Sequence, residues 1–356
     1  MAQSLTSSSA LRNKIVACIV VIITLFITLK YYSNTLAFHP SDTVVICAVA
    51  RNSRFLIREW MLYHQAIGVT HFYIYDNNLP HEDNLTHVLL PMPSHLYTII
   101  LSHDKFSWDG QIKMYSDCRN RFGYLHNWIL QIDMDEMLVL KNEASLLSYL
   151  KAYSGYAEIS FYWFATCTSH FSRRPVSVIC DTVPFNVTPW LDEFKSMYRP
   201  NFIFGNHHAH FVSQIDYFRA FAPLDEAVIY HFYTRSLQDY VLNKFVSSST
   251  VRSDFNAWKL YLHFLEACNG DASVTESCCL ARTNDVVCHH LQSMNAQYPI
   301  SGMTPTFTVL SEFSTLVDNP SYRYAKEIIL QNKPVTKHHL QALLRLSSNV
   351  SVVSGT

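Results

Sequence analysis

Three carboxylates follow a short apolar run near the middle of the chain. Residues 128–132 predict a buried strand, and Asp133, Asp135 and Glu136 come directly after it. Open α/β sheets bind ligands at the carboxyl ends of their strands, and carboxylates this close repel one another unless a cation or a hydrogen-bond donor joins them. We therefore expect Asp133 and Asp135 to hold a divalent metal ion, Mn²⁺ or Mg²⁺, together with a nucleotide diphosphate. The alternative is a solvated acidic turn.

Strands and helices that alternate along the chain must position these carboxylates. Continuous apolar runs predict strands, and apolar residues three and four apart predict helices. The predicted strands before the carboxylates are 44–50, 71–75 and 96–101, and the predicted helices are 54–67 and 111–125. This alternation is typical of an α/β fold with a mostly parallel, Rossmann-like sheet and a nucleotide crevice along its carboxyl edge.

Polar residues after the first two strands extend the predicted site. Arg51 follows the first strand, where a guanidinium can meet a phosphate or a nucleotide carbonyl; a surface arginine is the alternative. Asp76 follows the second strand, where an acidic residue can accept hydrogen bonds from a ribose or a base. Both residues are therefore predicted to bind the nucleotide.

The composition fits a large globular chain. The 356 residues carry a formal net charge of −1, so charge gives no reason to expect a nucleic-acid partner. Only 8 residues are glycine, which argues against a disordered or repetitive chain. In the last part, 251–356, no spacing indicates chemistry, and we expect a helical carboxyl-terminal extension. Its predicted helices are 254–267, 321–331 and 338–346.

An apolar segment close to the amino terminus predicts membrane attachment. Residues 15–29 are apolar apart from two threonines, and a lysine and two tyrosines follow. A helix over 15–32 is roughly 27 Å long, enough for a thin bilayer. We expect a cytoplasmic tail at 1–14, one transmembrane helix at 15–32, a stem at 33–42 and a lumenal remainder, which is a type II topology. A cleaved signal peptide is the alternative.

Sequons and cysteines agree with a lumenal location. Three asparagines begin Asn-x-Ser/Thr sequons, which permit glycosylation: Asn84, Asn186 and Asn349. Of the nine cysteines, the pair Cys167 and Cys180 and the cluster 268–288 are expected to form disulfides, whose connectivity the sequence does not give. The sequence contains no C-x-x-C pair of the kind that binds zinc.

Several short motifs together resemble one known family. Each is loose and the set is specific: Arg51-Asn52, Glu59-Trp60, Tyr63-His64, Gly68, 71–77, 133–136, 163–170, 195–200 and 229–236. Over about 43–250 the chain resembles glycosyltransferase family 92 and its family-2-like relatives. The resemblance implies a GT-A catalytic domain at 43–250 and a Golgi membrane location. It also implies inverting, metal-dependent transfer of a sugar, usually galactose from UDP-galactose, to a glycan acceptor.

The chain departs from the family pattern at several positions. Ser53 stands where the family has a glutamate after the first strand, and Ala165 and Ser169 replace two glycines. These changes favour, as an alternative, an inactive membrane-tethered protein that only binds glycans. A metal-dependent phosphoryl or nucleotidyl transferase on the same fold is a further alternative. The lack of a Walker-type glycine-rich loop argues against it.

The resemblance also implies roles for individual residues. Asp133 would lie near the ribose or the metal ion, and Asp135 would bind the ion. His231 would return to the ion from the far end of the domain as a neutral imidazole ligand; a core histidine is the alternative. Lys244 and Arg235 would pair with diphosphate oxygens, with helix-surface charges as the alternative.

The acceptor side of the predicted site rests on three residues. Inversion needs a base that removes the proton of the acceptor hydroxyl, and Glu193, in a predicted loop after Trp190, is the candidate. Trp163 and Trp190 are predicted to stack on an acceptor sugar, although burial in the core is the default for a tryptophan.

Overall fold

Four parallel strands form the first part of the sheet. In the computed structural model they are β1 (Val44–Ala50), β2 (His71–Asp76), β3 (Tyr97–Leu101) and β4 (Trp128–Gln131), in the order β3-β2-β1-β4. β1 and β4 are buried along their whole length, as expected of parallel strands that are covered on both faces. The four predicted strands and the α/β class are confirmed, and the order is consistent with a Rossmann-like core.

The described part of the chain comprises residues 14–24, 43–78, 85–102, 107–143, 145–167, 185–203, 218–233, 235–241, 258–259, 261–262, 320–331 and 334–350. Five more strands within it extend the sheet: β5 (Glu136–Leu140), β6 (Glu158–Cys167), β7 (Phe185–Tyr198), β8 (Arg219–Phe221) and β9 (Ala227–His231). They continue the order from β4 as β7-β6-β9-β5, with β8 beside β6. β7 runs antiparallel to β4 and lies directly beside it. β9 runs antiparallel to β5, the strand that follows β4 in sequence.

Seven helices of the described residues accompany these strands. They are α1 (Ile57–Ala66), α2 (Leu85–Leu89), α3 (Trp108–Phe122), α4 (Leu146–Ala152), α5 (Leu237–Val241), α6 (Pro320–Gln331) and α7 (Lys337–Val350). Residues 14–24 are also helical. The predicted helices at 54–67, 111–125, 321–331 and 338–346 are confirmed, and the one at 254–267 is described at only four residues, all helical.

Alternate residues of β1 face two different cores because successive side chains of a strand point to opposite faces. Val44, Ile46 and Ala48 pack in the larger core with Trp60 of α1. Val45, Cys47 and Val49 pack in a smaller core with Met114, Tyr115 and Cys118 of α3. Helices α1 and α3 therefore cover the two faces of the parallel strands.

A disulfide joins the sheet to helix α3. It links Cys47 of β1 to Cys118, at a sequence separation of 71 residues and with 6.4 Å between their Cα atoms. The sequence did not point to this pair, because the two cysteines lie far apart and in no motif. Cys180 and the cluster 268–288, where disulfides are predicted, lie outside the described residues.

The carboxyl-terminal helices build a separate apolar cluster. Leu237 and Tyr240 of α5 pack there with Trp258, with Ile328 of α6 and with Leu340 of α7. Helices α6 and α7 therefore pack against the segment that directly follows β9.

The predicted loop around Glu193 is wrong. Residues 185–198 form strand β7, with Pro189 opposite Phe164 of β6. The register between β6 and β7 shifts after the pair Tyr162–Phe194, so 191–193 fall in an irregular stretch. Proline is tolerated at such irregularities although it normally argues against a strand, which explains the error.

The predicted transmembrane segment 15–32 is described only as far as residue 24. Among the described residues, no helix combines the length and the apolar character needed to cross a membrane.

Candidate active site

The turn after β4 is closed by two reciprocal hydrogen bonds. The Glu136 N–H donates to the Asp133 carbonyl oxygen at 3.2 Å, and Oε2 of Glu136 accepts from the Asp133 N–H at 2.9 Å. Trp60 of α1 donates from Nε1 to the Glu136 carbonyl oxygen at 2.9 Å. Glu136 is fully buried, and burial raises the pKa of its carboxyl well above the ordinary value. Glu136 therefore supports the turn, and the other two carboxylates remain to face a ligand.

Asp133 is held by three side-chain donors. Its Oδ1 accepts from Nε2 of Gln111 at 2.7 Å and from the hydroxyl of Tyr115 at 3.1 Å. Its Oδ2 accepts from Nζ of Lys195 at 2.7 Å. Gln111 and Tyr115 lie four residues apart on α3 and so share one face of that helix. The Asp133 side chain is 29% exposed, so a ligand can still reach it.

Lys195 brings a buried ammonium into the site from β7. Its side chain is 0% exposed, and Nζ also lies 3.6 Å from Oε1 of Glu136 and 5.3 Å from the ring centroid of Trp163. Burial works against the charged form, but the neighbouring carboxylates, Asp133 first, outweigh it and raise the pKa of Lys195. Lys195 is therefore a fixed positive charge at physiological pH.

Asp135 meets the last strand of the sheet. Because Glu136 of β5 pairs with His231 of β9, the preceding residue lies beside the end of β9. The Phe232 N–H donates to the Asp135 carbonyl oxygen at 2.8 Å. Oδ1 of Asp135 lies 3.6 Å from Nε2 of His231, whose ring packs against Trp163 with 4.5 Å between centroids. The pairing of β5 with β9 thus brings together two of the predicted metal ligands.

Arg235 completes this side of the site in an unusual backbone conformation. Its φ angle is +46°, in the left-handed region that residues with a side chain rarely adopt. Nη2 of Arg235 lies 3.6 Å from Oδ2 of Asp135, and the side chain is 9% exposed. Such strain is found most often at functional sites, where the surrounding structure has to hold it.

The residues present fit a metal ion only in part. Nowhere in the described part of the chain do three or more His, Cys, Asp or Glu side chains form a group that could hold a metal ion. Asp135 and His231 are one oxygen and one nitrogen donor within 3.6 Å, which suits Mn²⁺ if phosphate oxygens of a substrate supply the remaining ligands. A complete ion site would therefore include the substrate.

The loops after β1 and β2 are tied together at the same edge of the sheet. Asn52, with φ +50°, donates from its N–H to Oδ1 of Asn78 at 2.8 Å. Oδ1 of Asp76 accepts from the side-chain amide of Asn78 at 2.8 Å. Arg51, next to Asn52 in sequence, is half-buried, and Ser53 donates to the Arg51 carbonyl oxygen at 2.9 Å. Arg51 and Asp76 thus lie at the predicted edge.

A cavity of about 440 Å³ lies between β2, β3 and α3. It reaches Ser102, whose N–H donates to the Asp76 carbonyl oxygen at 2.9 Å. Lys113 and Arg121 of α3 line it together with Asp117. The cavity is therefore lined by Ser102, a hydrogen-bond neighbour of Asp76, and by two cations.

Comparison with known proteins places the sheet and the candidate site in one protein family. The sequence model of glycosyltransferase family 92 matches residues 43–267, which contain β1 to β9. This chain belongs to glycosyltransferase family 92. A family 92 protein from Oryza sativa subsp. japonica is 31% identical over 117 residues, 32% of this chain and 19% of that protein. One from Ricinus communis is 32% identical over 107 residues, 30% of this chain and 19% of that protein. The matches thus span about a fifth of these relatives.

For the other predicted site residues of this family 92 chain, the structure shows no contact that tests their role, or does not describe them. Trp163 is 7% exposed and packs against His231 and Lys195, so its stacking on a sugar stays a prediction. Glu193 is half-buried in β7, and the backbone of Trp190 pairs with Trp163. Lys244 lies outside the described residues.

The predicted glycosylation sites are described only in part. Asn186 lies in β7 and Asn349 in α7. Asn84 lies outside the described residues. Glycosylation at all three stays a prediction.

Sequence reasoning assigned no role to three residues that hold Asp133 in this family 92 chain: Gln111, Tyr115 and Lys195. In the sequence, Lys195 is marked only by its place in the segment 195–200, which resembles the family. Its one local signal is its position close to the apolar residues Phe194 and Met197. A charged side chain that is buried among apolar residues needs a partner of opposite charge.

Proposed function

We propose that this chain transfers a sugar from a UDP-sugar to a hydroxyl of a glycan, with inversion and with Mn²⁺ bound. The observation that carries the proposal is the meeting of Asp135 and His231, 3.6 Å apart, at the carboxyl edge of the sheet. Membership of glycosyltransferase family 92 supports the reaction class. Galactose as the sugar, and the GT-A type of the fold, follow from the resemblance alone.

In this proposal the chain's own residues hold and orient the donor. Asp135 and His231 would hold the ion, which when bound would supply a Lewis acid for the charge on the diphosphate leaving group. Arg235, 3.6 Å from Asp135, adds a cation that can donate to diphosphate oxygens. Arg51 and Asp76, at the ends of β1 and β2, bind the nucleoside. The predicted Lys244 would add a further cation for the diphosphate.

The transfer itself forms one bond and breaks one. The acceptor oxygen attacks the anomeric carbon, the bond from that carbon to the diphosphate oxygen breaks, and UDP leaves with its electron pair. The hydroxyl proton goes to a base, for which we retain Glu193. Its position in the irregular stretch of β7 supports this choice, because such irregularities re-aim side chains and are frequent beside active sites.

The disulfide supports a compartment for this activity. A bond between Cys47 and Cys118 persists in oxidising compartments and is rare in the cytosol. We assign the catalytic domain to the lumen of the Golgi or a related endomembrane compartment, where glycan acceptors and nucleotide sugars meet.

A donor-hydrolysis screen with the full chain tests the function. UDP- and GDP-sugars are incubated with Mn²⁺ or with EDTA, and nucleotide release is measured. We expect slow release of UDP from one UDP-sugar, only with Mn²⁺. Asp135→Asn should abolish it, whereas Asp225→Asn, at an exposed position, should not. Adding glycan acceptors then identifies the product and its anomeric configuration.

Two results would contradict the proposal. Absence of UDP release and of UDP binding, by a protein whose circular dichroism shows it to be folded, would favour the inactive glycan-binding protein. Release that persists in EDTA or in Asp135→Asn would reject the role of the ion.

A further inference from the structure

Strand β5 ends the sheet, yet it is buried. In the described part of the chain it pairs only with β9, so one of its two edges has no strand beside it. All five residues of β5 are nevertheless buried. Buried backbone N–H and C=O groups need hydrogen-bond partners, because leaving them unpaired costs free energy. The free edge of β5 must therefore find its partners outside the sheet.

Three side chains of helix α1 provide these partners. Nε1 of Trp60 donates to the Glu136 carbonyl oxygen at 2.9 Å. The hydroxyl of Tyr63 donates to the Leu138 carbonyl oxygen at 3.1 Å, and Nε2 of His64 accepts from the Leu138 N–H at 3.3 Å. Residues three and four apart share one face of a helix, and backbone groups two residues apart on a strand point to the same side. Helix α1 therefore takes the place of a neighbouring strand.

The bond to the Leu138 N–H requires one particular form of His64. Nδ1 of His64 lies 2.8 Å from the Trp60 carbonyl oxygen, which can only accept, so the ring proton is on Nδ1 and Nε2 keeps its lone pair. His64 is fully buried, and burial lowers its pKa to about 3. His64 is therefore neutral and held in one tautomer.

Helix α1 lies between two parts of the candidate site. Asp135 directly precedes β5, and β5 pairs with β9, which ends at His231. At its other end, α1 begins after the loop that carries Arg51, and the Ser53 carbonyl oxygen accepts from the Ile57 N–H at 2.9 Å. One helix thus connects the loop after β1 with the strand that follows the acidic turn.

We propose that three side chains of α1 are positioning residues for the candidate site: Trp60, Tyr63 and His64. Their hydrogen bonds fix β5 and thereby hold Asp135 and His231 in the arrangement that binds the donor. The inference rests on the proposed function. The three side chains act on the site through β5, because their hydrogen bonds go to its backbone. Loss of one bond leaves a buried backbone group unpaired and lets the start of β5 shift.

Calorimetric titration of UDP into the full chain, with Mn²⁺ present, tests the arrangement of the site. Tyr63→Phe removes one hydroxyl and keeps the ring. We expect it to weaken UDP binding about tenfold, an effect typical of removing a group that orients a metal ligand. Tyr97→Phe is the matched control, because the Tyr97 hydroxyl also donates to a backbone carbonyl oxygen, that of Leu89, at 3.1 Å. Tyr97 belongs to β3, at the opposite end of the sheet, so this variant should bind UDP as the wild type does.

Hydrogen exchange measured by mass spectrometry reports on β5 itself. In Tyr63→Phe, the segment 133–140 should exchange faster than in the wild type, because β5 opens more often. In Tyr97→Phe, its exchange should stay that of the wild type.

His64 offers a rescue experiment. His64→Leu leaves the Leu138 N–H unpaired and should weaken UDP binding about tenfold. The side-chain oxygen of glutamine can accept from that N–H, so His64→Gln should retain most of the wild-type affinity.

The outcomes separate this proposal from the proposed function. If Tyr63→Phe and His64→Leu bind UDP as tightly as the wild type, these side chains only stabilise the fold, and the proposal is overturned while the proposed function stands. Weaker binding with unchanged exchange of 133–140 would overturn the action through β5. If the folded wild type binds no UDP, the proposed function is wrong and this proposal fails with it. Should His64→Leu not fold, Tyr63→Phe decides alone, since it removes a single hydroxyl.

Discussion

The two parts of the sheet contribute to the site in different ways. In the parallel part, β1 to β4, helices α1 and α3 pack on opposite faces of β1, and a disulfide fastens β1 to α3. It presents Asp76 and Asp133 simply because its strands end there. The return part, β5 to β9, brings Lys195 and His231 to those ends through strand pairing over long sequence distances. The first part provides the frame of the site and the carboxylates at its strand ends, and the second adds Lys195 and His231.

This difference predicts where substitutions act. In the parallel part, substitutions should lower the free energy of global unfolding, because apolar burial and a disulfide stabilise this part. In the return part, a single polar contact should matter for both the fold and the ion, because buried charges depend on their partners.

Removal of the Lys195 ammonium should have the largest effect on stability. Lys195→Met leaves Asp133 and Glu136 without their buried cation, and breaking such a pair costs about 3–5 kcal/mol. Urea unfolding of the full chain measures the free energy. Lys326→Met, on α6, is the control and should cost almost nothing. A loss below about 1 kcal/mol for Lys195→Met would mean that the charged contacts of the return part are dispensable.

Removal of the disulfide tests the parallel part. For a loop of 71 residues, chain entropy predicts that Cys47→Ala/Cys118→Ala destabilises the protein by about 4 kcal/mol. Cys18→Ser, at a free and exposed cysteine, is the control. UDP binding by the fraction that stays folded should be unchanged, since neither cysteine is among the residues proposed to hold the nucleotide. Loss of binding at unchanged stability would erase the distinction between the two parts.

His64 joins the two parts and should make stability depend on pH. Its Nδ1–H donates to the Trp60 carbonyl oxygen at 2.8 Å, and its Nε2 accepts from the Leu138 N–H of β5 at 3.3 Å. Burial lowers the pKa of His64 to about 3 from 6.5, with the bond to Trp60 acting in the opposite direction. The unfolded chain therefore binds a proton first, and stability falls as the pH drops below 6.5.

At pH 5 this single histidine should cost about 2 kcal/mol relative to neutral pH. In His64→Gln, the fall in stability between pH 7 and pH 5 should shrink by that amount. His87→Gln, at an exposed position of α2, should keep the fall of the wild type. An identical pH dependence in wild type and His64→Gln would show that His64 is not the buried neutral group described.

Trp60 gives the smallest expected effect. Trp60→Phe keeps an aromatic, though smaller, ring in the larger core but removes the hydrogen bond to the Glu136 carbonyl oxygen. We expect a loss of about 1–2 kcal/mol because a buried acceptor loses its donor. The Mn²⁺ affinity with UDP should fall with it, since the same bond holds the turn between Asp133 and Asp135. Unchanged affinity would mean that β5 alone fixes the turn.

The sequence predicts the parallel part well because its signals are local. Apolar runs marked the first strands, and Asp133 and Asp135 stood out as carboxylates directly after one of them. The return part has no such local signal. Lys195 meets Asp133 across 62 residues, and only the pairing of β7 with β4 creates that contact. His231 is identified in the sequence only by family resemblance, and the register shift of β7 near Glu193 has no local sequence signal.

The most direct test of the account is calorimetric titration of UDP into the full chain, once with Mn²⁺ and once with EDTA. The account predicts binding that depends on Mn²⁺ and that is lost in Asp135→Asn but retained in Asp225→Asn. Binding of equal strength in EDTA would contradict it, because Asp135 and His231 would then not be holding the nucleotide through an ion.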